Sequence, residues 1–371
     1  MMADKQTYAP GSHPDLPPPP GTIGVVGWLR ANLFSSVSNT LLTIVTTYFL
    51  YWLITNAAGW FVLDAVVDAS SRKECREIDN GACWAVIAKR IGQFVYGFYP
   101  HDERWRPNIA FILLFVAVAP LLYPNVPYRR YALWFSASYP FVAYFLLCGG
   151  ILGLAEVGTN KFGGFMLTMI VGVTGIAASL PLGIALSLGR QSRLLSVRVI
   201  CISFIEFMRG VPLITLLFVA STMLNYFLPP GTTFNLLLRV LIMVTFFASA
   251  YIAEVIRGGI QAIPKGQYEA AAAMGLNYWQ TTRFVTLPQA LKISIPGIVN
   301  TFIGLYKDTT LVVVIGLLDP LGIGRAALAD AKWNGLTTET YIFVALFFFV
   351  SCFAMSRYSL WLENRLSTEH K

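Results

Sequence analysis

The chain has 371 residues, 56% of them hydrophobic and only 12% charged, with a mean hydropathy of +0.61. An average soluble domain carries about 25% charged residues. Repeated apolar runs of about 20 residues therefore point to an all-α polytopic membrane protein. Lysine and arginine outnumber aspartate and glutamate by 27 to 19, an excess that reads here as orientation and lipid contact, not nucleic-acid binding.

Residues 1–27 contain Pro10, Pro14 and Pro17 to Pro20 with few apolar anchors, the composition of a disordered tail. The tail lacks the apolar core and cleavage site of a signal peptide, so the first span is expected to serve as an uncleaved anchor. About eight spans follow, at 39–63, 108–123, 133–154, 165–188, 200–228, 236–256, 293–318 and 341–361. Gly210 and Pro212 interrupt the fifth. An even number places both termini on one side. Arg129, Arg130, Arg190, Arg193, Arg198, Lys265, Arg283, Lys292, Arg357 and Arg365 all fall on that side, which is expected to be cytoplasmic.

The loop 64–107 objects. It would lie outside, yet it carries Arg72, Lys73, Arg76, Lys89, Arg90, Arg104 and Arg106. Seven acidic residues balance these, but the rule counts basic residues and not net charge. Outside, Cys75 and Cys83 would meet an oxidising compartment and either close a short disulfide loop or remain thiols. Cys148, Cys201 and Cys352 fall in apolar spans as small packing residues. With three histidines and no Cys-x-x-Cys or His-Glu-x-x-His, no metal site is expected.

Composition changes along the chain. Aromatic-rich spans joined by a large loop give way after about residue 160 to short loops and spans carrying glycine, proline and isolated charges. The expected division is an accessory region at 28–160, a functional core at 161–362 and a short tail at 363–371.

Ionisable groups in a span cost at least about 2.5 kcal/mol each at the centre. Glu206 with Arg209, and Glu254 with Arg257, are three residues apart and can pair on one helical face. The second pair, at a span end, reads as a structural ion pair. The first lies deeper beside Gly210 and Pro212, and is either a local pair or part of a pathway. Lys307 and Asp308 are adjacent, so they point about 100° apart on a helix and face each other poorly. With Thr309 and Thr310 beside them and Gly304 as a close-approach point, they either receive a polar solute or make an interhelical salt bridge. An amino acid would offer its carboxylate to Lys307 and its ammonium to Asp308.

Glu269 to Pro288 is a polar-edged segment between two apolar stretches. Its alanine run favours helix, Gly275 can end that helix in left-handed geometry, and a second short helix over 278–284 can precede Leu287-Pro288. This is either an ordinary loop or a compact surface for a partner. No Gly-x-x-x-x-Gly-Lys-Ser/Thr loop is present, so ATP energy would have to come from another polypeptide.

The spacing Glu269-Ala270-Ala271, Gly275, Val285, Leu287-Pro288 resembles the signature of ATP-binding-cassette importer permeases. Glu206 to Leu213, Ala250 to Lys265 and Lys307 to Leu311 are similar to the polar-amino-acid branch. The N-terminal half, with three extra spans and a long loop containing Cys83-Trp84, Tyr99-Pro100 and Arg104-Trp105-Arg106, resembles the larger permease subunit of general L-amino-acid importers. The resemblance implies a five-helix type I permease core at the C-terminal end, in the bacterial inner membrane. It further implies a Glu269–Pro288 segment docked on one of two cytoplasmic ATPase subunits, which would bind ATP and Mg while this chain binds no cofactor. A homologous permease chain in a heterodimer, a periplasmic amino-acid-binding protein, an amino-acid substrate and membrane lipid complete the implied partners. An ion-gradient-driven transporter using Asp308, Glu206 or Glu254 is the alternative. A membrane-embedded enzyme is disfavoured because no residues have catalytic spacing.

Overall fold

Every buried backbone amide in hydrocarbon needs an internal partner, and helix supplies one within each segment. The computed structural model describes residues 24–123, 127–150, 153–223, 226, 229 and 234–366, and no strand occurs among them. The helices are α1 (Gly24–Asn32), α2 (Val37–Ala58), α3 (Arg72–Ile78), α4 (Ala85–Tyr96), α5 (Trp105–Leu122), α6 (Arg129–Cys148), α7 (Gly164–Arg190) and α8 (Leu195–Gly210). They continue with α9 (Leu213–Phe218), α10 (Leu236–Gln261), α11 (Lys265–Ala273), α12 (Tyr278–Thr281), α13 (Leu287–Asp308), α14 (Pro320–Leu328) and α15 (Thr337–Leu366).

Among the described residues seven helical stretches are long and apolar enough to cross a membrane, or eight if a bent pair is one span. That pair is α8 with the stretch Leu213–Met223, turned by 104°. Pro212 lacks a donor and biases Val211 toward extended backbone, so the fifth expected span breaks there. Helix α1 occupies residues 24–27 of the expected disordered tail, while residues 1–23 lie outside the described residues. At the other end α15 runs to Leu366, past the expected boundary at 362.

The chain divides into two compact units, Met1–Val66 with Arg76–Ala82, and Val67–Cys75 with Cys83–Lys371. In the first, α2 is capped by Ser36, whose hydroxyl accepts from the Asn39 amide at 3.2 Å. In the second, α7, α10 and α13 form the packed centre. Glycine lets them approach: a β-carbon on Gly183 would lie 2.5 Å from Ile252 Cγ2, and one on Gly259 2.1 Å from Ser294 Oγ. Small residues at such contacts replace the hydrophobic force that lipid removes. Gly175 meets Val244 as Gly183 meets Ile252, so α7 and α10 run parallel; α13 runs antiparallel, with Gly297 against Val255 and Tyr306 against Gly172.

The connection after α13 is a 3₁₀ stretch, Thr309–Ile315, ended by Gly316 at φ +89. Asp319 then caps α14, its Oδ1 accepting from the Gly322 amide at 2.8 Å. Its burial pushes the carboxyl up to about 6. In α5, Arg106 is completely buried and donates to the carbonyls of Leu146 at 2.7 Å and Ala155 at 2.8 Å. Beside it the Tyr99 hydroxyl donates to Leu147 O at 2.9 Å, and burial raises that phenol to about 12.

Gly183→Val should destabilise the detergent-purified chain by about 1–3 kcal/mol through overpacking against Ile252 and the Ser249 carbonyl. Gly304→Ala, where nothing lies within 4 Å, should cost less than about 0.5 kcal/mol. Equal melting temperatures for the two variants would contradict this packing.

Candidate functional site

Pro264 leads into α11, and the alanine run completes it. The helix ends in a Schellman arrangement: the Leu276 amide donates to Ala271 O at 3.1 Å and the Gly275 amide to Ala272 O at 2.9 Å. Gly275 sits at φ +73, and a β-carbon there would meet nothing within 4 Å, so backbone conformation rather than crowding calls for glycine. A capping box opens α12, with Asn277 Oδ1 accepting from the Gln280 amide at 2.9 Å and Gln280 Oε1 from the Asn277 amide at 3.0 Å. Glu269, Ala270 and Gly275 are exposed, and Ala271 alone in α11 is buried. Met274, Tyr278, Trp279 and Phe284 are exposed alongside.

The second short helix expected before Leu287-Pro288 is instead the start of one helical stretch, Tyr278–Ile315. A π-turn over Thr282–Thr286 widens the helix just before Pro288, where a donor is missing, and the helix continues. Val285 and Leu287 are half-buried on this stretch and Pro288 is exposed.

Five charges join the neighbouring ends of α7, α8 and α10. Arg190 Nη1 donates to Glu206 Oε1 at 3.0 Å and to Glu254 Oε2 at 3.1 Å. Arg209 approaches Glu254 at 3.7 Å and Glu206 at 4.0 Å, with its guanidinium over the Tyr251 ring. Arg257 pairs with Glu254 and donates to Gln261 Oε1 at 2.8 Å. The expected local pair of Glu254 and Arg257 is thus one part of a cluster spanning three helices. Arg190 is the residue that sequence reasoning missed as a member. Its only signal was a basic residue at a span end, which served as an orientation marker.

Lys307 and Asp308 end α13, and neither belongs to an ion pair among the described residues. Lys307 is exposed and Asp308 half-buried. The flanking hydroxyls turn onto the backbone: Thr309 donates to Tyr306 O at 2.7 Å and Thr310 to Lys307 O at 2.9 Å. Thr309 is buried, and Gly304 is open, not the close-approach point expected. Tyr306 packs on Gly172 of α7, whereas Arg190 ends that helix. The intervening stretch of α7 is ~27 Å long at 1.5 Å per residue. The charge cluster and the Lys307 group therefore sit far apart along the bundle, with the cluster beside the entry to α11.

The bundle thus carries Lys307 and Asp308 without ion-pair partners among the described residues toward one end, and an exposed capped helix at the other. Residues 179–368 match the family model of the binding-protein-dependent transport system inner membrane component, and the chain belongs to this family. It is 47% identical to the glutamate/glutamine/aspartate/asparagine transport system permease protein BztC of Rhodobacter capsulatus, over 96% of each chain. It is 48% identical to the inner membrane amino-acid ABC transporter permease protein YhdY of Escherichia coli, over 96% of this chain and 97% of that one. The probable glutamine ABC transporter permease protein GlnM of Bacillus subtilis is 34% identical, with 56% of this chain covering 93% of that one.

Arg190→Ala should lower the chain's stability by about 1–2 kcal/mol and weaken the dependence of its Tm on salt. Arg193→Ala, at an exposed position, should change neither. A thermal melt of Arg190→Ala that matches wild type across the salt series would show that the cluster does not hold the helices together.

Proposed function

We propose that this chain is the larger permease subunit of an ATP-driven, binding-protein-dependent amino-acid importer in the bacterial inner membrane. The exposed α11 carries the reading. A nine-residue helix that buries one residue owes its form to alanine content and caps, which leaves its outer surface for a partner. That partner is one of two cytoplasmic ATPase subunits, which bind ATP and Mg; this chain contributes no cofactor. A homologous permease chain completes the pathway, and a binding protein delivers the solute from the opposite face. The full-length relatives, named as amino-acid permeases, support the substrate class. The chain itself is a permease and performs no catalysis.

In this reading residues 28–160 are accessory and 161–362 are the transporter core. The extent of the family match and the shorter GlnM relative support that division. Both termini face the cytoplasm and the loop 64–107 faces outward. The disulfide between Cys75 and Cys83 supports an oxidising surrounding for the loop. Lys307 and Asp308 receive the amino acid's carboxylate and ammonium. The relatives lend no support to the gradient-driven alternative, and Glu206, one of its candidate ion ligands, is already engaged by Arg190.

Glu269→Lys or Gly275→Trp is expected to abolish uptake and co-purification of an ATPase subunit while membrane insertion persists. Uptake that survives ATP depletion and collapses with the proton gradient would overturn the importer reading. Lys307→Ala and Asp308→Ala should each lower uptake by at least about tenfold with assembly intact. Failure of either variant to accumulate in the membrane would instead assign the pair to structure.

A further inference from the structure

Residues 67–75 and 83–98 fold onto the far end of the core. Phe94 of α4 is fully buried, edge-on to Phe343 of α15 at 5.2 Å between ring centres. A β-carbon on Gly324 of α14 would meet the Phe94 ring at 3.7 Å, and one on Gly164 of α7 would lie 2.0 Å from Phe94 O. One side chain and its carbonyl therefore touch the ends of three core helices. Gly97 at φ +65 lies against the backbone of Gly163, and the Phe98 amide donates to Lys161 O at 3.0 Å.

Directed bonds reinforce this seat. The Arg72 amide donates to Lys332 O at 2.8 Å and its Nη1 to Asn334 O at 2.8 Å, beside Gly335 at φ +89. Arg90 pairs with Asp330 at 2.5 Å. The Lys332 amide, followed by Arg90, holds the Asp330 carboxyl below the usual range. The Cys83 amide donates to Glu339 Oε1 at 3.4 Å, and the disulfide ties Cys83 to Cys75, three residues from Arg72. Both halves of the grip are thus joined covalently.

We propose that residues 67–75 and 83–98 form a disulfide-closed clamp that makes the outer ends of α7, α14 and α15 move as one body. The clamp holds the outer face shut until a binding protein engages. Separating α7 from the α14–α15 connection requires α4 to leave its seat and the bonds of Arg72 and Arg90 to break with it. The proposal rests on the importer reading and on an outward-facing loop.

The test uses the purified complex of permease and ATPase subunits, as wild type and as three variants. These are Arg90→Ala, the double variant Cys75→Ser with Cys83→Ser, and the charge swap Arg90→Asp with Asp330→Arg. Amide exchange over 318–336 should quicken by about tenfold in the cysteine variant and in reductant-treated wild type, with 265–281 unchanged. ATP hydrolysis without binding protein should rise by about threefold in Arg90→Ala and return toward wild type in the swap. Unchanged exchange would overturn the clamp. Faster exchange with unchanged hydrolysis would also overturn it, leaving a brace with no hold on the outer face. A wild-type complex that hydrolyses no ATP would sink the importer reading instead, and the exchange measurement would still decide whether the clamp exists.

Discussion

The contact of Ile252 with the bare backbone of Gly183 fixes the separation of α7 and α10. Lipid is as apolar as the side chains it bathes, so helices in a bilayer gain little from hiding leucine and much from close approach. Gly172, Gly175 and Gly183 line one face of α7, and Gly259 and Gly297 repeat the device between α10 and α13. These contacts set two helices parallel and the third against them. That arrangement decides which ends of the bundle share a level. It brings Arg190, Glu254 and the entry to α11 to one end, and Lys307 toward the other.

The electrostatics follow from the packing. Arg190 reaches two carboxylates on different helices because α7 ends where α8 and α10 pass, and the guanidinium fork can serve both. Arg257 continues the chain of contacts to Gln261, at the end of α10. Only the short stretch 262–264 separates that end from α11. A force on α11 would thus arrive at a point pinned by ion pairs, and it would have to travel the length of packed helix to reach Lys307. Packed helices with discrete arrangements can carry such coupling without any continuous chain of polar groups.

Much of this was legible in the residues. The alanine run and Gly275 announced a capped helix and its turn, because propensity and a left-handed glycine are local properties. Pro288 misled for the same reason. Read locally, a proline ends a helix, but the π-turn at Thr282–Thr286 accommodates it and no sequence pattern advertised that turn. Pro212 did behave as a breaker, with Val211 before it in extended backbone. The pairing of Glu254 with Arg257 was visible at three-residue spacing, while Arg190 was not. Its partners lie 16 and 64 residues away, a distance that only the tertiary packing closes.

The loop 64–107 shows where a topological rule meets a folded domain. Its seven basic residues would ordinarily argue for the cytoplasm. The rule counts loops of up to about 60 residues, and this loop falls within that length. Here Arg106 is buried on carbonyls, Arg90 and Lys89 pair with Asp330 and Asp68, and Arg72 binds Asn334 O. Arg104 lies over the Tyr96 ring. Such charges serve the fold of the loop, within which a disulfide joins Cys75 to Cys83. The basic count of this loop thus goes largely into internal pairing, a tertiary feature that composition does not show.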